Sequence, residues 1–180
     1  MSAWIIAASV AVALTAHGIA GAQSTDVTGL SASPSPTVLV DSAGNAVAKP
    51  LNETTVLVTI GPGVVAPASI RSLYGPDGRE ASGVATWQAG GGVLFTSADC
   101  TTGAHVYGSS RAGVRAATQV QTRVGISLYV GAVGQATTVS VQSILYDTGC
   151  APVVVRQNGL HPVETTVNLD VAYPPPLSFR

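Results

Sequence analysis

Lysine is almost missing from this sequence: Lys49 is the only one. Charged residues of every kind make up 9% of the chain, where an average soluble domain carries about 25%. With a formal net charge of -1 there is no basic stripe, so the electrostatic footprint of a nucleic-acid binder is absent. Cysteine is limited to Cys100 and Cys150. Two isolated cysteines do not make a structural zinc site, which wants four ligands at short spacings. Beyond the first residues, no window approaches the roughly 18 consecutive uncharged apolar residues of a membrane helix.

Catalytic patterns are lacking too. There is no G-x-S-x-G; Gly108-Ser-Ser-Arg-Ala-Gly113 reads as a loop. Gly90-Gly91-Gly92 has no helix or Lys-Ser/Thr after it, so it reads as a flexible turn and not as a phosphate loop. Asp and Glu total nine, with no pair at motif spacing. His17, His105 and His161 have no neighbouring Cys or carboxylate motif. Asp99 beside Cys100 reads as a turn residue before it reads as a cation ligand. The expectation is therefore no catalytic residue, no metal and no cofactor.

What is present begins with an apolar run, Trp4 to Thr15, followed by Gly18 and a small-x-small site, Ala20-Gly21-Ala22. Residues 1–22 are expected to be a cleaved signal peptide, although only the amino group of Met1 supplies its positive end. No stable membrane span would remain after cleavage. The destination is the periplasm, the cell surface or the medium, where disulfides persist. Two cysteines leave one intramolecular pairing, Cys100 with Cys150. Closing a loop of that length is worth about 4 kcal/mol by chain entropy.

Residues 23–36 are small, polar and proline-punctuated and read as a lead-in. From residue 37 the dominant period is two. Val56, Val58 and Ile60 alternate with polar neighbours, as do Val120 through Val130, Val139 and Val141, and Val167 through Tyr173. Shorter candidates are Thr37–Val40, Ile70–Tyr74, Val84–Gln88, Gly92–Thr96, His105–Tyr107 and Val153–Arg156. Turn chemistry separates them at Asp41–Asn45, Gly75–Gly78 and Asn158-Gly159. The pattern predicts an all-β chain: an antiparallel β-sandwich, immunoglobulin-like or jelly-roll-like, over 37–173. A proline-rich tail, 174–180, follows, and its Leu177 and Phe179 are expected to pack back on the domain.

Three stretches carry a family resemblance: Val38–Val47, Gly92–Tyr107 with its Asp99-Cys100-Thr-Thr-Gly103, and Gly149-Cys150 followed by Val167–Leu169 and Pro174–Arg180. In this order they resemble a loosely defined group of secreted bacterial β-domains, found alone or as heads of tail-fibre-like and collagen-like proteins. The sequence departs from the group's pattern at Ala48, at the extra Thr before Gly103 and at Leu-Ser before Phe179. The resemblance implies the β-fold and the disulfide and supplies no active site. A weaker resemblance is to immunoglobulin-like sandwiches. Trp87 precedes the first cysteine, however, and no Tyr stands two residues before Cys150.

The candidate contacts for a ligand or partner are Tyr129, Tyr146, Tyr107 and Trp87, aromatics with a polar handle. Tyr129 and Tyr146 fall in the polar register of their strands and are expected to face outward. Trp87 also reads as core. The function expected is a secreted or surface-exposed structural or adhesive module without catalytic activity. Its partner would be a cell-surface protein or glycan, or copies of itself in a homo-oligomer. The alternatives are a carbohydrate-binding module and a secreted hydrolase with a loop-built site.

Overall fold

The computed structural model describes residues 38–180. The expected signal peptide (1–22), the lead-in (23–36) and Thr37 lie outside the described residues. Strands β1 (Leu39–Val40) and β2 (Ala46–Pro50) form a first hairpin. Its turn is held by Asp41, whose Oδ1 accepts the backbone N–H of Ala43 at 2.9 Å and of Asn45 at 2.8 Å. β3 (Thr55–Gly61), β4 (Val64–Tyr74) and β5 (Glu80–Trp87) continue the meander through turns at Pro62-Gly63 and Gly75–Gly78.

The expected sandwich is corrected at this point. The last strand, β12 (Leu177–Phe179), inserts between β1 and β5, with Leu39 opposite Phe179 and Leu177 opposite Ala85. Because β1 also pairs with β2, the six strands close in the order β1-β12-β5-β4-β3-β2. The first layer is thus a closed antiparallel barrel, which leaves no edge along its pairing. Leu177 is fully buried and Phe179 half-buried. Leu177 and Phe179 thus pack on the domain as expected, and residues 177–179 of the expected tail are a barrel strand.

The remaining strands are β6 (Val93–Phe95), β7 (Ala104–Tyr107), β8 (Ala117–Thr122), β9 (Gly125–Gly131), β10 (Thr137–Tyr146) and β11 (Gly149–Asn168). They form a second antiparallel sheet in the order β10-β6-β7-β11-β9-β8, and β10 also pairs with β11. β11 runs 20 residues because it serves three partners in turn: β10 to Leu160, β7 over Leu160–Pro162 and β9 over Val163–Asn168. Register shifts place Val153-Val154 opposite Gln142 and Asn158-Gly159 opposite Thr138. Such bulges bend a strand and increase its twist. Asn158-Gly159, expected as a turn, is therefore a bulge inside one continuous strand.

Two further expectations shift. The alternating run Val120–Val130 is a hairpin, turned at Arg123-Val124, so Val124 is 71% exposed while Val120, Ile126, Leu128 and Val130 are buried. The run toward Tyr173 leaves the strand at Asn168. The Asn168 side chain caps a short helix, α1 (Leu169–Ala172), by accepting the Val171 N–H at 3.1 Å.

The main core fills the barrel with Leu39, Val56, Val58, Ile70, Trp87 and Leu177, and is extended by Ile126, Leu128 and Val130 of β9 and Leu169 of α1. One apolar core therefore spans barrel and second sheet. Smaller clusters lie beyond it: Val93, Phe95 and Val120 on one side of β6, and Leu94, Val141 and Leu160 on the other. β6 is buried on both faces, which explains its uninterrupted apolar sequence.

Candidate functional site

Cys100 and Cys150 are joined, with their Cα atoms 5.9 Å apart. The bond ties the β6–β7 loop to the start of β11. Ser143 on β10 is fully buried beneath that loop. Its Oγ donates to the Ser97 carbonyl at 2.6 Å and accepts the Cys100 N–H at 3.1 Å. Asp99 Oδ1 accepts the Thr101 hydroxyl at 2.6 Å and the Thr101 N–H at 3.2 Å. Hydrogen bonds from Thr101 and Ser97 hold the Asp99 carboxyl below its ordinary value. The carboxylate is thus engaged inside its own loop, as a turn residue is.

His105 lies on β7 with Nδ1 2.8 Å from the Gly103 carbonyl. His161 is buried on β11, opposite Val106. Among the described residues, neither is hydrogen-bonded to a Ser, a Thr or a carboxylate.

The four candidate aromatics do not form one group: the register places Tyr107 and Tyr146 on the same face of the second sheet, on either side of β6, while Trp87 and Tyr129 lie in separate clusters. Trp87 is 2% exposed inside the barrel, its Nε1–H donating to the Tyr173 carbonyl at 3.0 Å. It offers no face to a ligand, and this is the core placement. Tyr129 is half-buried against the cluster of Val93, Phe95 and Val120. Burial raises its phenol pKa. The face that alternation assigns to solvent is covered here by the second cluster, so Tyr129 does not point outward. Tyr107 and Tyr146 are exposed, on β7 and at the end of β10. Tyr146 lies over Gly92, where a Cβ would come within 3.0 Å of its ring and 2.7 Å of Ile144 Cγ2. Gly92 is thus a close approach of backbone to this strand end, while Gly91 makes one to Thr118 of β8. Tyr146, Gly90–Gly92 and Asp147 line only a shallow, open recess.

Two features escaped sequence reasoning. The first is a two-stranded arm built from Thr137–Val141 of β10 and Val153–Gln157 of β11. β6 reaches β10 only at Ser143–Leu145, and β7 reaches β11 only from Leu160. Among the described residues no strand pairs with either outer edge of the arm. Val154, at the bulge, is 95% exposed and Val155 is 40% exposed.

The second is a cleft of about 1050 Å³ at one end of the barrel. β5 pairs with β4 at Ser72–Ala85 and again at Tyr74–Glu80, so Ala81–Val84 bulge away opposite Leu73 and open the wall. Gly83 permits this with φ +72°. Val38, Pro50, Val84 and Phe179 form the apolar part of the lining. Lys49, Asn52, Glu53, Thr54, Ser72 and Glu80 form the polar part. Glu80 accepts a hydrogen bond from the Ser72 hydroxyl. Asn52 Oδ1 accepts the Thr54 N–H at 3.0 Å. Alternation could not reveal this site, since its residues come from β2, the β2–β3 loop, β4, β5 and β12. The scarcity of charge was a usable signal: the only lysine and two of the three glutamates of the chain stand here.

No family model, no curated protein and no solved structure matches this chain.

Proposed function

We propose that the domain is a secreted or surface-exposed binding module that acts by structural or adhesive contact and not by catalysis. The observation supporting this reading most directly is the β10–β11 arm. A ribbon with unpaired N–H and C=O groups along its edges is a template for strand addition. Val154 and Val155 add apolar surface to it, and a net charge of -1 opposes association of copies only weakly. The partner that fits is a second copy of the chain.

The test is light scattering on the purified chain from micromolar to millimolar concentration. Oligomers that grow with concentration and disappear in Val154→Lys support the reading. A chain that stays monomeric throughout, or whose assembly ignores Val154→Lys, overturns self-assembly through the arm. Val154 is nearly fully exposed, so the substitution leaves the fold intact.

A further inference from the structure

We infer that the cleft at the barrel end is a saccharide site, built for a neutral or amine-bearing pyranose. The inference is independent of the arm, which lies on β10 and β11, while the cleft is made from barrel strands and the β2–β3 loop. It also differs from a sugar platform made of tyrosines, because no tyrosine lines the cleft.

The lining has the two parts a pyranose requires. A pyranose ring has C–H faces and a rim of hydroxyls. Phe179, Val84 and Pro50 supply an apolar surface against which a C–H face can lie, with the positive C–H edges meeting the negative face of the phenyl ring. Around it stand carboxylate acceptors on Glu53 and Glu80, ammonium donors on Lys49, and the amide and hydroxyl groups of Asn52 and Thr54. Small-ligand sites combine an apolar wall with placed polar groups; this cleft has both and is richer in polar groups than most, at a volume just above the usual range of roughly 300–1,000 Å³.

The charges distinguish this cleft from ordinary surface. The ion pairs among the described residues are Arg79–Asp77 and Arg115–Glu164. Lys49, Glu53 and Glu80 are therefore not neutralised by ion pairing among the described residues, in a chain that otherwise avoids charge. Glu80 is nonetheless held in place by the Ser72 hydroxyl, which orients its carboxylate before a ligand arrives. Two carboxylates and one ammonium leave the cleft with a formal charge of -1. That sign favours a sugar bearing an ammonium group over a uronic acid.

The test uses the full chain and three soluble probes: glucosamine oligomers, their N-acetylated counterparts and oligogalacturonate. Binding is followed by calorimetry, and its place by NMR shift changes. The expected order is glucosamine oligomers over N-acetylglucosamine oligomers, with oligogalacturonate last, and with shifts at Gly83, Val84 and Phe179. Glu80→Gln and Glu53→Gln each weaken the amine-bearing probe about ten-fold, the worth of one charge-assisted hydrogen bond. They change the N-acetylated probe less. Phe179→Ala weakens both, but it lies in a barrel strand, so Val84→Asp at the half-buried rim is the second variant, and melting curves show whether each is folded. Absence of binding by all three probes, preference for oligogalacturonate, or shifts centred on Tyr146 would overturn the assignment. These results leave the arm untouched, and loss of self-association in Val154→Lys leaves the cleft untouched.

Discussion

The side-chain amide of Gln119 takes the place of a strand beside Ser69. Its Nε2 donates to the Ser69 carbonyl at 3.2 Å, and its Oε1 accepts the Ser69 N–H. Gln119 belongs to β8 and Ser69 to β4, so one buried amide joins the second sheet to the barrel wall. Nearby, Val65 and Val114 form a single parallel bridge, and the Arg115 N–H donates to the Val65 carbonyl at 2.9 Å.

Replacing Gln119 by Ala leaves the Ser69 N–H unpaired in a part-buried position. The Ser69 carbonyl keeps the Gln88 N–H at 3.0 Å. The expected loss is about 1–3 kcal/mol. Denaturant titration should show a lower midpoint with an unchanged slope. An unchanged midpoint would mean the amide bridge does not hold the layers together.

Removing the disulfide in a Cys100→Ala, Cys150→Ala variant is expected to cost about 4 kcal/mol. Ser143→Ala keeps the bond but leaves the Cys100 N–H without its acceptor under the loop, a loss of about 1–3 kcal/mol. Both are read from urea midpoints. Hydrogen exchange at Cys100 should rise in Ser143→Ala while exchange in the barrel stays constant.

Leu177→Ala tests the closing strand. The side chain is fully buried in the main core, so truncation is expected to cost about 2–5 kcal/mol. A value near zero would mean that residues 177–179 are an unattached tail. Amide protection of Val84 and Ala85 on β5 reports the same closure separately.

Asp41 makes stability depend on acid. Burial alone pushes its carboxyl up, but hydrogen bonds from Asn45, Ala43 and Gly44 outweigh this and hold it below the ordinary 3.8. Asp99 is also held low, by Thr101 and Ser97. A depressed carboxyl stabilises the fold above its unfolded pKa, and that contribution is lost as pH falls through the lower folded value. The melting temperature should therefore stay level with respect to these groups down to the ordinary carboxylate range and fall below it. Asp41→Asn and Asp99→Asn should each reduce that fall. A variant with the same acid slope as the parent would show that its carboxyl is not held low.

Much of this molecule was already written in local chemistry. Period-two alternation and Gly, Asn and Asp turns called for strands, because successive side chains on a strand point to opposite faces whatever the partner. Two cysteines allowed one pairing, and the pairing is present. Asp41 and Gly75–Gly78 turn the chain where turn residues require it. What tertiary structure alone decided is which strands meet. Three residues behind a run of prolines, Leu177–Phe179, close a barrel because β1 and β5 both pair with them. Tyr129 lost its outward face because a second cluster covers β9, which no alternation within β9 can announce. The cleft and the arm exist only through the relative lengths and bulges of strands far apart in sequence. Side-chain period is a property of one segment, whereas closure, coverage and edge exposure are properties of pairs.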